Sequence, residues 1–69
     1  MNNVYDIRQY LKKFGTFIYT KDKIGDLKMM EDEITELYQA GILPIREFQV
    51  ARHILRAEEV KIKLEENAK

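Results

Sequence analysis

The residues best suited to chemistry in this 69-residue chain are basic and aromatic side chains that alternate near its N-terminus. They are Tyr5, Arg8, Lys12, Lys13, Phe17, Tyr19, Lys21 and Lys23. Proteins that bind single-stranded nucleic acids place cations along the phosphate backbone and stack aromatic rings on the bases. Tyr5, Arg8 and Lys12 are spaced to share one face of a helix. The set therefore predicts binding of single-stranded RNA or DNA, with every member except Phe17 as a predicted contact.

The formal net charge is zero, but the charges are segregated along the chain. Residues 1–23 are basic, residues 24–40 are acidic and residues 41–63 are basic again. Such an alternation is typical of packed helices that neutralise one another, and in that interpretation the N-terminal lysines pair with the acidic segment. In the nucleic-acid interpretation the same lysines are free to meet an anionic partner.

The surroundings of the tyrosines and lysines distinguish these two interpretations. Nucleic-acid binding requires Tyr5 and Tyr19 to be exposed beside Lys12, since a buried ring cannot stack on a base. A protein-interaction module instead predicts buried tyrosines, with the lysines bridged to Glu31 or Glu33.

Enzymatic chemistry is not expected from this composition. The chain contains neither serine nor cysteine, so its single histidine, His53, has no such nucleophile to activate. The acidic cluster within residues 31–36 occupies consecutive helix positions that point in different directions, so its carboxylates do not converge on a metal ion. Residues 22–33 place acids like a calcium loop, but Leu27 stands where that loop needs glycine. We expect no catalytic site, metal or cofactor.

Three helices are predicted to position the basic and aromatic residues. Apolar side chains recur with helical spacing over residues 4–14, 23–40 and 44–66. Pro44 suits the first position of the third helix, and the short connection before it predicts that the second and third helices are antiparallel. A chain of this length forms one small domain. The predicted fold is therefore all-α, a small three-helix bundle with a short first helix followed by an antiparallel hairpin.

Local signals mark the ends of these helices. Asn3 and Asp22 are suited to cap the first and second helices, because their side chains can accept hydrogen bonds from free amides. Gly15 and Gly41 suit the left-handed conformation that ends a helix. Gly25, in the first turn of the second helix, is predicted to weaken its start.

The first helix and the segment after it also contain a predicted apolar face. Its members on the helix are Val4, Ile7, Leu11 and Phe14. In the following segment either Phe17 or Ile18 is expected to pack under the bundle. Tyr19 is expected to keep its hydroxyl group in water.

The third helix carries more apolar surface than one neighbouring helix would cover. One stripe comprises Ile45, Phe48, Ala51, Leu55 and Ile62, and a second, rotated stripe comprises Val50, Ile54, Ala57 and Leu64. An excess of apolar area on a small domain indicates an interaction surface. The alternative to nucleic-acid binding is therefore a protein-interaction or homodimerisation module that self-associates through this helix.

No part of the sequence predicts a membrane protein. No apolar run approaches the roughly 18 residues of a membrane-spanning helix. Residues 1–6 lack the basic and apolar regions of a signal peptide. We therefore expect a cytoplasmic protein with no membrane segment.

Five short motifs occur one after another between Val4 and Arg56. They are Tyr5-Asp6, Leu11-Lys12-x-Phe14-Gly15, Ile18-Tyr19, Met30-Glu31-x-Glu33-Ile34 and Glu36-Leu37-Tyr38. In these motifs the chain resembles the YqgQ-like family, small cytosolic proteins of Gram-positive bacteria. The resemblance implies a three-helix bundle, a proposed role in binding single-stranded nucleic acid, and no catalytic residues.

The resemblance covers only part of the predicted contact set. Tyr5, Lys12 and Tyr19 match the family's motifs. The remaining contacts rest on local charge alone: Arg8, Lys13, Lys21 and Lys23. After Tyr19 the chain reads Thr-Lys-Asp-Lys-Ile-Gly, whereas the family pattern has a glycine and an arginine nearer the tyrosine.

Overall fold

The computed structural model describes residues 1–67, and within them it contains three helices and no strand. The helices are α1 (Val4–Lys12), α2 (Lys23–Gln39) and α3 (Ile45–Asn67). The closest pairing is that of α2 with α3, and α1 packs against both of them. The predicted all-α three-helix bundle is confirmed. None of the helices in the described part of the chain is long and apolar enough to cross a membrane.

Contacts along their lengths show that α2 and α3 run antiparallel. Where α2 ends and α3 begins, the rings of Tyr38 and Phe48 stack with their centroids 4.5 Å apart. Nearer the middle of both helices, Glu31 of α2 accepts hydrogen bonds from Arg52 and Arg56 at 3.2 and 3.3 Å. The acidic face of α2 is therefore neutralised in part by α3.

The two predicted glycine stops have the expected backbone conformation. Gly15 has φ +80° and Gly41 has φ +77°. At the end of α2, the N–H groups of Gly41 and Ile42 donate to the carbonyls of Tyr38 and Leu37 at 3.0 and 2.9 Å. These hydrogen bonds satisfy carbonyls that the end of the helix would otherwise leave free. The left-handed residue ends α2 there, and the chain turns toward the third helix.

The helix bounds differ from the predicted ones by one or two residues. α1 ends at Lys12 rather than at Phe14, because the N–H groups of Lys13 and Phe14 donate to carbonyls three residues back instead of four. α2 ends at residue 39 rather than 40, and α3 spans Ile45–Asn67 rather than 44–66. Pro44 precedes α3, and its carbonyl accepts the N–H of Phe48 at 2.9 Å.

The N-terminal caps form as predicted, with one revision. The Asn3 side chain accepts the N–H of Asp6 at 2.9 Å, and the Asp22 side chain accepts the N–H of Gly25 at 3.1 Å. A Cβ atom at Gly25 would lie 2.6 Å from an oxygen of Asp22. The glycine therefore makes room for the cap, a packing role that its low helix propensity did not indicate.

The core lies where the three helices meet. Its buried members are Ile7, Leu11, Leu27, Met30, Ile34, Leu43, Ala51 and Leu55. Ile18 packs against this core from outside the helices, whereas Phe17 does not. Phe14, predicted on the buried face of the first helix, is exposed, and its ring contacts that of Tyr10 at a centroid distance of 5.1 Å.

Candidate nucleic-acid interface

A groove of about 330 Å³ lies between α1 and the segment that joins it to α2. We call this segment, residues 13–22, the connector, and the cavity the aromatic groove. The buried side chains of Leu11 and Met30 line it from the core. Its charged lining residues, Arg8 and Lys12, are both cations. The groove thus combines an apolar base with a positively charged edge.

Three aromatic rings line this groove and are open to solvent. Tyr5 on α1 is 66% exposed, and Phe17 and Tyr19 on the connector are 74% and 85% exposed. Tyr5 and Tyr19 were predicted contacts, and the structure places both beside Lys12 in the same groove. Rings held in this way are available for stacking on planar ligands.

Phe17 is a candidate contact that the sequence left as one of two residues, with Ile18, expected to pack under the bundle. Ile18 packs against the core, whereas Phe17 and Tyr19 on either side of it are exposed. The sequence left open which of Phe17 and Ile18 faces the core, because the choice depends on the path of the connector.

Arg8 occupies the junction between α1 and the connector. Its Nη1 atom donates a hydrogen bond to the backbone carbonyl of Ile18 at 2.9 Å. Its guanidinium carbon lies 5.9 Å from the centre of the Tyr19 ring, within the range of a cation–π interaction. Arg8 is therefore already engaged with the connector that carries the aromatic rings.

The other predicted cations are not all in the groove. Lys13 is exposed and lines neither the groove nor its neighbour. Lys21 and Lys23 line a second depression of about 440 Å³, which shares Arg8 and Tyr19 with the groove. The structure adds charged residues of α3 to it, namely Glu58, Lys61 and Glu65. Here the lysines have carboxylates nearby, which makes this surface less cationic than the aromatic groove.

The predicted contact lysines make no salt bridge with any other residue in the part of the chain that the structure describes. Glu31 pairs with arginines of α3, and Glu33 accepts a long hydrogen bond, 3.4 Å, from the Thr16 hydroxyl. The bridges that the protein-interaction interpretation requires, from these lysines to Glu31 or Glu33, are therefore not formed among residues 1–67.

The connector is also fastened to the first turn of α2 by a buried carboxylate. Asp26 is only 2% exposed, and its two oxygens accept the N–H of Thr20 at 3.0 and 3.2 Å as well as the Thr20 hydroxyl. The Thr20 hydroxyl in turn accepts the N–H of Asp22 at 3.1 Å. Thr20 and Asp26 were not among the predicted site residues.

Fold and groove together define a small all-α protein, a three-helix bundle with an aromatic and cationic groove on one side. Comparison with known proteins identifies its relatives. The model of the YqgQ-like family matches residues 1–61, which extends beyond the segment that carried the sequence resemblance. The chain is 36% identical over 58 residues to the uncharacterized protein YqgQ of Bacillus subtilis (strain 168), covering 84% of this chain and 82% of that protein. The chain belongs to the YqgQ-like family.

Proposed function

We propose that this protein binds single-stranded nucleic acid in the aromatic groove, without catalysing a reaction. Tyr5, Phe17 and Tyr19 would stack on bases, and Lys12 would contact a phosphate. The observation that carries the proposal is the exposure of these three rings around a groove whose charged lining residues are both cations. Exposed rings beside cations are the combination that single-strand binding proteins use. The cytoplasm, where such strands occur, is the proposed location.

The small number of aromatic rings in the groove indicates modest affinity for single strands. Stacking of one base on an aromatic ring contributes about 1–3 kcal/mol, so three rings engage at most a few nucleotides. Each phosphate that is neutralised on a single strand makes log K fall with log salt concentration by about 0.7. Binding is therefore expected to be weak, independent of sequence and weakened by salt in proportion to the few phosphates contacted.

Fluorescence anisotropy of a labelled single-stranded oligonucleotide, about 12 nucleotides long, tests the proposal. The measurement is made at low and at near-physiological salt. Charge reversal in Lys12→Glu/Lys13→Glu is expected to abolish binding. The matched control, Lys28→Glu/Arg46→Glu, reverses two charges that line neither depression and should retain most of the affinity. Because unspecific electrostatic binding is strongest at low salt, no binding there would overturn the proposal.

A second pair of variants separates stacking from charge. Tyr5→Ala/Tyr19→Ala keeps every cation and removes two of the exposed rings. It is expected to weaken binding about 30-fold or more, because each of the two lost stacks is worth about 1–3 kcal/mol. Tyr38→Ala, at the far end of α2, is the aromatic control. Equal affinity of the double variant and the wild type would exclude stacking on these rings.

Self-association through α3 is a second candidate, and one observation favours it. On the outer side of α3, Val50, Val60 and Leu64 are exposed at 48%, 56% and 64%. Analytical ultracentrifugation over a wide concentration range tests this candidate. A dimer that dissociates in Val60→Glu/Leu64→Glu would support it, whereas a monomer mass at every concentration would exclude it.

A further inference from the structure

The connector is held at three consecutive residues by side chains of two different helices. Arg8 of α1 binds the Ile18 carbonyl and lies against the ring of Tyr19. Asp26 of α2 binds both the N–H and the hydroxyl of Thr20. Tyr19 therefore sits between two anchor points, and the ring itself remains 85% exposed. These contacts attach the connector to both helices, so it does not run as a free loop.

The Asp26 carboxylate accepts its side-chain hydrogen bonds from the connector. An ionised carboxylate removed from water is costly unless hydrogen bonds replace its hydration. Within residues 1–67, all the side-chain hydrogen bonds that Asp26 accepts come from Thr20. Release of the connector would remove all of these hydrogen bonds from the carboxylate, so the contact between Asp26 and Thr20 stabilises the observed path of the connector.

We propose that Arg8, Thr20 and Asp26 are positioning residues that hold the connector aromatics in the binding conformation before a ligand arrives, and that Arg8 does not bind phosphate. This inference rests on the proposed function. Ordering a flexible loop on binding costs free energy, and a loop that is already ordered avoids that cost. The sequence had grouped Arg8 with the phosphate-binding cations. Its engagement with Ile18 and Tyr19 assigns it to the connector instead.

Asp26→Asn tests the inference through the sign of its effect. The substitution removes one negative charge, so electrostatics alone would leave binding to a polyanion unchanged or tighter. If Asp26 positions the connector, the more cationic variant should instead bind about 2- to 10-fold more weakly, the cost of re-ordering one side chain such as that of Tyr19. Asp32→Asn, an exposed residue of the same helix, is the charge-matched control. Tighter or unchanged binding by Asp26→Asn would overturn the inference.

The salt dependence of affinity tests the role of Arg8. Lys12→Gln should reduce the slope of log K against log salt by about 0.7, because one phosphate contact is lost. Arg8→Gln should weaken binding while the slope stays that of the wild type. A slope reduced equally in both variants would make Arg8 a phosphate ligand and refute this part of the inference.

Thr20 lies outside the helices, so its variants are expected to preserve them even if Asp26→Asn destabilises α2. Thr20→Val removes the hydroxyl donor to Asp26 and should weaken oligonucleotide binding. Thr20→Ser restores a hydroxyl and should restore the affinity. Circular dichroism of each variant shows whether helix content is retained.

Amide hydrogen exchange, measured by NMR on the full chain without ligand, separates the inference from the proposed function. The N–H of Thr20 should be protected in the wild type and exchange faster in Asp26→Asn, with the buried helix amides unchanged. Equal exchange in both proteins would overturn the inference, whatever the protein binds. Protection at Thr20 in a wild type that binds no oligonucleotide would overturn the proposed function and leave the connector's anchoring intact.

Discussion

At the scale of single residues, the Asp26 carboxylate attaches the connector to α2 by accepting hydrogen bonds from Thr20. The side-chain hydrogen bond from Thr20 holds the pKa of the Asp26 carboxyl below its ordinary value of 3.8, and the backbone N–H of Thr20 and the charge of Arg8 act in the same direction against desolvation. The folded state therefore binds fewer protons at this site than the unfolded state. The resulting stabilisation is present above the unfolded pKa and is lost as pH falls through the lowered, folded pKa.

The pH dependence of stability should show this contribution. On acidification from neutral pH to below 3.8, the wild type is expected to lose more stability than Asp26→Asn, which has no carboxyl to titrate at this site. Urea unfolding followed by circular dichroism at each pH gives the two curves. Glu59, whose pKa is lowered chiefly by a hydrogen bond from Lys63, contributes equally to both proteins. Parallel curves for wild type and variant would contradict the expectation.

At the scale of elements, the two glycine stops decide where the chain changes direction. The chain leaves the direction of α1 at Gly15, within the connector. It leaves the direction of α2 at Gly41, in the turn of the hairpin. A Cβ atom at either position would meet no atom within 4 Å apart from those of the adjacent residues. Any cost of a larger residue there arises from the left-handed backbone alone. These positions therefore isolate the conformational contribution of glycine from packing.

Gly41→Ala is expected to lower the free energy of unfolding by about 1–2 kcal/mol, because alanine disfavours the left-handed conformation. Gly41→Asn should cost less, since asparagine tolerates that conformation better. Urea denaturation of both variants measures the difference. Equal losses for alanine and asparagine would show that something other than the backbone angle determines the effect.

At the scale of the whole molecule, stability rests on a small core. A domain of this length is stable by only about 0.05–0.15 kcal/mol per residue. Ile34, fully buried at the centre of α2, contacts a core drawn from all three helices. A single large-to-small substitution there is therefore comparable with the total stability of the fold.

Ile34→Ala is expected to cost about 2–5 kcal/mol, from lost burial and the cavity left behind. The variant should unfold at a much lower temperature or be partly unfolded at ambient temperature. Val60→Ala, at an exposed position of α3, should change stability by less than about 0.5 kcal/mol. Thermal unfolding followed by circular dichroism compares them, and similar losses for the two variants would contradict the assignment of the core.

The sequence by itself determined the features that depend on neighbouring residues. Helical spacing predicted the three helices to within two residues at each end, and the types of Asn3, Asp22, Gly15 and Gly41 predicted their caps and stops. Motif order also indicated the family, which the comparisons confirm. These properties could be predicted because periodicity, capping and turn conformation are set over a few adjacent residues.

Only the tertiary structure decided which side chains form the groove. It turned Ile18 inward and left Phe17 exposed, and it separated Lys12 in the groove from Lys21 outside it. It also joined Arg8 to the connector, a contact between residues ten positions apart. Such contacts depend on how helices far apart in sequence pack and on which path the connector takes between them. Helix packing and the path of the connector are not encoded in local spacing. Residue types alone could therefore identify candidate cations, but not which of them lie together in the groove.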